Sequence, residues 1–151
     1  KEIFDKDIIA LVDNEVSQKD ELIKLLNLEV TCGSTRNPKV KVVLNYKGNE
    51  VEKIETGNGP VDSIFNCINN LIKNSAKLEL FLINAITKGT DAQAEVSVRL
   101  KEYDISVSDT ASDTDTMVAS AKAYIIALNK LIIKRKKRNI DLNLATKKLI
   151  K

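Results

Sequence analysis

Apolar residues recur along the first stretch of the chain, at Ile8, Ile9, Leu11, Val12, Val16, Leu22, Ile23, Leu25 and Leu26, with the three-to-four-residue spacing of an amphipathic helix. Asp5 stands where it can cap a first helix, and Ser17, followed by Asp20 and Glu21, where it can open a second. Two short helices are therefore expected between Asp5 and Leu28. The period then changes to two. Leu28, Val30 and Cys32 alternate with Glu29 and Thr31, and Val40, Val42 and Leu44 alternate after the Gly33–Pro38 cluster. Lys47-Gly48-Asn49 closes a hairpin onto a third strand, Val51–Thr56. Gly57-Asn58-Gly59-Pro60 stops the sheet and opens a helix from about Pro60 to Lys73, with Val61, Ile64, Phe65, Ile68, Leu71 and Ile72 on one stripe. A strand over Leu78–Thr87 follows, then a turn at Gly89 and a strictly alternating strand through Ala94, Val96, Val98 and Leu100. A short strand at Tyr103–Ser108 and a polar loop, Asp109–Asp115, lead into a longer helix through Ala119, Ala123, Ile126, Ala127 and Ile133.

Three strands and a helix thus occur twice. The helix openings resemble each other, Gly59-Pro60-Val61-Asp62 beside Ser112-Asp113-Thr114-Asp115, and so do the helix ends, Asn69-Asn70-Leu71-Ile72 beside Asn129-Lys130-Leu131-Ile132. The expected class is α+β, two βββα units related by a pseudo-twofold axis and preceded by short linker helices. Each unit has a sheet with one apolar face and a helix to cover it. The expected divisions are a helical linker at residues 1–27, the repeat domain at 28–135 and a basic C-terminal tail at 136–151.

Composition narrows the chemistry. The 151 residues suffice for one core, and the absence of His removes Ser-His-Asp and Cys-His hydrolysis, His-ligated zinc and His acid/base catalysis. Two cysteines, Cys32 and Cys67, are too few for a Cys-rich metal site or a disulfide scaffold. The net charge of +3 has a local source, the run Lys134-Arg135-Lys136-Lys137-Arg138. No uninterrupted apolar stretch reaches the roughly 18 to 20 residues of a membrane span, and the first residues lack the apolar region of a signal peptide. The expected setting is the cytoplasm, and a start on Lys1 rather than Met suggests a fragment.

Five segments invite functional readings. Gly57, Asn58, Gly59, Pro60, Val61 and Asp62 place bare backbone N–H groups at a helix start, where they either make a tight turn or bind a carboxylate or phosphate. The spacing is neither the dinucleotide fingerprint nor a Walker loop. Gly89, Thr90, Asp91, Ala92, Gln93 and Ala94 form a polar connection that reads as a β-turn or as one wall of a small-molecule pocket. Asp113-Thr114-Asp115-Thr116 fits a helix N-cap better than a metal loop. Ala119, Ser120, Ala121, Ala123 and Ala127 thin one helix flank for a sheet or a second subunit. The basic run suits a helix C-terminus, and no aromatic residues interleave it as a nucleic-acid surface would require.

Three ordered blocks carry a resemblance: Thr56–Asp62, Gly89–Arg99, and Asp113–Tyr124 with Ala127-Leu128-Asn129, preceded by Phe4–Val12. Over about residues 1–135 the chain resembles the C-terminal regulatory domain of the 2-isopropylmalate synthases, with the citramalate synthases as close relatives. The resemblance implies a homodimer of two βββα units that binds an end-product amino acid near the dimer interface. That effector is leucine, or isoleucine in the citramalate branch, and it feeds back on the condensation of acetyl-CoA with 2-oxoisovalerate. The effector residues would be Gly57 to Asp62 and Gly89 to Ala94, Asp62 or Asp91 meeting the ammonium and Val61 and Ala94 the isobutyl group. Catalysis and its divalent metal would belong to a barrel elsewhere in the polypeptide, leaving no catalytic residue, metal or cofactor here. Two departures stand out: Ala111 and Ser112 where members often carry Gly, and Ser63 where many carry Ala. Two other readings remain. A nucleic-acid-binding α+β module predicts binding lost with Lys134–Lys151, and a pure dimerisation scaffold predicts indifference to amino acids.

Overall fold

A computed structural model describes residues 22–88 and 91–150. The expected helices before Leu22 lie outside the described residues. The first unit consists of β1 (Ile23–Gly33), β2 (Arg36–Tyr46), β3 (Asn49–Thr56) and helix α1 (Pro60–Leu71). The second repeats the order as β4 (Lys77–Lys88), β5 (Asp91–Glu102), β6 (Ile105–Asp113) and helix α2 (Thr116–Ile150). Each unit has an antiparallel meander with its second strand in the centre, so the expected pair of βββα units is present.

The meanders form because the turns demand it. Lys47 and Gly48 both take positive φ, 53° and 84°, the conformation that matches a two-residue hairpin to the twist of its strands. The Asn45 side chain accepts the Gly48 N–H at 3.0 Å and fixes the turn from within. Inward positions then fall on one face of each sheet. Val40, Val42 and Leu44 of β2 and Val96, Val98 and Leu100 of β5 are all buried, and both helices lie against those faces.

Two expectations are corrected, and the last helix runs on through the expected basic tail. Ile23–Leu28 is strand, not helix. Inward residues Ile23, Leu25, Leu28 and Val30 would alternate cleanly, but a bulge between Leu25 and Asn27 inserts an extra residue and gives the sequence a helix-like spacing of three. Asp109–Asp113 is likewise strand, the second half of β6, rather than loop. Asp109 pairs opposite Val98 and Asp113 opposite Ala94, so both share a face with the apolar core. They are tolerated there because α2 brings cations to meet them, Lys130 at 2.6 Å from Asp109 and Lys122 at 2.9 Å from Asp113. Finally, residues 136–150 continue α2 without a break.

α2 is long and apolar enough over an 18-residue window to cross a membrane, which the sequence reading did not expect, yet 61% of that window is buried within the fold. Its small residues explain the burial. Ala119, Ala123 and Ala127 recur every fourth residue and are fully buried, which lets the helix backbone approach β5 and β6 closely. The two helices also touch. Phe65 of α1 stacks on Tyr124 of α2 with ring centroids 4.3 Å apart, and meets Phe81 of β4 edge-on at 5.7 Å. Such pairs contribute roughly 0.5–1.5 kcal/mol beyond simple burial. They join the second sheet to the first unit's helix.

Candidate functional site

The β3–α1 connection is the segment the sequence singled out most clearly. Gly59 occupies the N-cap in extended conformation, Pro60 opens the first turn, and among the described residues no side chain caps the N–H groups of the helix start. A helix start of this kind carries partial positive charge and outward N–H groups. Asp62 lies exposed in the first turn. Ser63 is fully buried one turn in, and both its N–H and its hydroxyl donate to the Gly59 carbonyl, at 3.0 and 2.7 Å. The hydroxyl is also why position 57 must be glycine. A β-carbon there would stand 2.5 Å from Ser63 Oγ. The Gly57 N–H in turn donates to the Pro38 carbonyl at 3.4 Å, tying the turn to β2.

Beside this turn runs a groove of about 530 Å³, lined by Thr31 to Asn37 at the β1–β2 hairpin, with Lys39 and Thr56. The groove follows from the topology, since the end of β3 and the tip of the β1–β2 hairpin share one end of the sheet.

The second predicted segment is placed differently. Gly89 and Thr90 lie outside the described residues. Asp91, Ala92, Gln93 and Ala94 are strand residues of β5 rather than loop, paired opposite Lys88, Thr87, Ile86 and Ala85. Ala94 also pairs with Asp113 on its other side. The β4–β5 tip therefore shares its end of the sheet with the start of α2, not with the start of α1. The two predicted walls occupy different units of one chain.

At the start of α2, by contrast, the chain supplies its own cap. The Asp115 carboxylate accepts from Met117 N–H at 2.8 Å and Val118 N–H at 3.5 Å, and Asp113 accepts from Asp115 N–H at 2.9 Å. The Lys122 ammonium bonded to Asp113 holds that carboxyl below the usual carboxylate range. N-capping is what the sequence favoured here over a metal loop. Among the described residues no group of three or more Cys, Asp or Glu side chains gathers where it could hold a metal ion.

Several residues that organise the molecule were not identified from the sequence. Glu102, only 3% exposed, receives Arg135 through two hydrogen bonds of 2.7 Å and the Ser75 N–H at 2.8 Å. Arg138 pairs with Asp104 and lowers its carboxyl. Two of the five cations in the basic run thus face β5 and its following turn. Burial pushes the Tyr124 hydroxyl up, opposed by its hydrogen bond to Asn69 at 2.6 Å. Burial, with the Glu55 carboxylate nearby, pushes the Cys67 thiol up to about 11. None of these partnerships is local. The one sequence signal was the match of Asn69 with Asn129 in the repeat.

Residues 2–132 match the LeuA allosteric (dimerisation) domain family. The chain is 51% identical over 138 residues to a 2-isopropylmalate synthase of Rhodopseudomonas palustris (strain BisB18), covering 91% of this chain and 26% of that protein. It is 48% identical over 141 residues to a 2-isopropylmalate synthase of Bradyrhizobium diazoefficiens, covering 93% and 27%. A third such synthase, from Nitrobacter winogradskyi, is 49% identical over 138 residues, covering 91% and 26%. The chain spans about a quarter of the length of these curated relatives.

Proposed function

The chain belongs to the LeuA allosteric (dimerisation) domain family, and from that premise we propose that it is the regulatory domain of a 2-isopropylmalate synthase, binding leucine and lowering the activity of a catalytic barrel in the same polypeptide. The observation that carries the reading is the helix start at Gly59-Pro60, which no side chain among the described residues caps. Its outward N–H groups are matched to the α-carboxylate of an amino acid. Asp62, exposed beside them, is a candidate partner for the ammonium, and Val61 offers apolar surface for a branched side chain.

The second wall, Gly89 to Ala94, belongs to the other unit, and a homodimer accounts for this. A second copy would bring its own β4–β5 tip against the Gly57–Asp62 turn, so that each pocket draws on two chains. A coupling of about 1–3 kcal/mol between effector and active site would be ordinary for such an arrangement. Leucine is favoured over isoleucine because the relatives named above are 2-isopropylmalate synthases rather than citramalate synthases. The nucleic-acid reading loses ground on a specific observation, the engagement of Arg135 and Arg138 by Glu102 and Asp104.

Calorimetric titration of the folded protein with leucine, isoleucine and valine tests the proposal. Leucine is expected to bind most tightly, with one site per chain. Silence toward all three at millimolar concentration would overturn it.

A further inference from the structure

Asn129 is a polar side chain set among the apolar residues of α2, and it is 5% exposed. Its Oδ1 accepts the Ile23 N–H and its Nδ2 donates to the Ile23 carbonyl, both at 2.9 Å. The second unit's helix thus holds both backbone groups of the first residue of β1, across 106 positions of sequence. In a buried site neither Ile23 group can turn to water instead, so the contact is kept or broken as a unit.

The repeat-related residue does the same through an intermediary. Asn69 of α1 accepts from Asn74 Nδ2 at 3.1 Å, and Asn74 Oδ1 accepts the Ala76 N–H at 3.0 Å, one residue ahead of β4. Each helix therefore holds the entry to the other unit's first strand. The two helices are joined to each other through Tyr124, which stacks on Phe65 and donates its hydroxyl to Asn69 at 2.6 Å. A continuous set of contacts then runs from the helix start at Gly59-Pro60 along α1, across Tyr124 to α2, and through Asn129 to Ile23. For β4 the entry is an internal connection. For β1 the entry is the chain that precedes the regulatory fold.

We infer that Asn129 is a positioning residue for the inhibition proposed above, the joint through which a change at α1 reaches the chain ahead of β1. The inference rests on that regulatory reading, and it assigns Asn129 no contact with the effector.

The test is Asn129→Asp in the full-length protein, which keeps the size and the acceptor but removes the donor and sets a carboxylate against the Ile23 carbonyl. Leucine affinity is expected to stay within about threefold of native and the uninhibited rate to be unchanged, while inhibition at saturating leucine falls by at least half. Tyr124→Phe, which keeps the ring stack and removes the hydroxyl, should weaken inhibition less. Binding of leucine with undiminished inhibition in Asn129→Asp overturns this inference alone. Failure of the unmodified protein to bind leucine overturns the regulatory reading and this inference together. If Asn129→Asp does not fold, amide hydrogen exchange in the unmodified protein decides: leucine should change the exchange rate at Ile23 about tenfold while leaving Val42 in the centre of β2 unaffected. No change at Ile23 overturns the inference.

Discussion

The two βββα units share a topology and differ in what secures their helices. α2 is fastened along its length by ions, Lys122 to Asp113, Lys130 to Asp109 and Arg135 to Glu102, and its first turn is closed by Asp115. α1 is fastened by apolar packing of Ile64, Phe65 and Ile68, and among the described residues its first turn carries no side-chain cap. The same fold has therefore been used once to close a helix start and once to leave it open. A second unit that satisfies its own helix start can serve as a frame. A first unit that does not leaves its N–H groups free for the effector proposed above, and the chain offers one such start of this kind among its described residues.

Breaking the frame should have the largest effect. Arg135→Ala leaves the Glu102 carboxylate buried without its cation, and loss of one member of a buried pair costs about 3–5 kcal/mol. Chemical denaturation should show that loss, with Glu102→Ala smaller because the Arg135 it leaves unpaired is 34% exposed and can reach water. Next comes Gly57→Ala, whose new methyl meets Ser63 Oγ at 2.5 Å. A cost of about 1–3 kcal/mol and weakened leucine binding are expected, and Gly57→Ala combined with Ser63→Ala should recover most of the stability. If the double variant is no better than the single one, the close approach is not what requires glycine there.

Asp115→Ala should cost about 1 kcal/mol, the usual worth of an N-cap, while leaving leucine affinity as it was. An equal loss of affinity would mean that the capped start also takes part in binding. The smallest expected effect concerns pH. The Cys67 thiol is raised from 9.0 to about 11 in the folded protein, so the neutral form is the one the fold accepts. Its contribution is complete below pH 9 and is lost as pH rises through 11. Denaturation midpoints should therefore decline over that range in the native protein and decline less in Cys67→Ala.

Much of this was readable before any coordinates. The period-two strands β2 and β5, the Lys47-Gly48 turn and Pro60 at a helix start each depend on a few neighbouring residues, so the local pattern suffices to place them. Where reading failed, a distant partner had overridden the local pattern. A bulge against β2 disguised β1 as a helix, and Lys122 and Lys130 made strand out of an acidic stretch that looked like a loop. The candidate site divides in the same way. The glycines at 57 and 59 announced themselves, but the separation of Gly57–Asp62 from Asp91–Ala94 into different units depends on which strand ends lie side by side.

The sequence by itself determined the repeat, the class of fold and the open helix start, because hydrophobic period and backbone conformational limits are properties of neighbouring residues. Only the tertiary structure decided that Asp109 and Asp113 could lie on the core face, that Arg135 would be spent on Glu102, and that Asn129 would hold Ile23. Each of these is a polar group taken out of water, and whether that is tolerable depends on a partner that folding brings from tens of residues away.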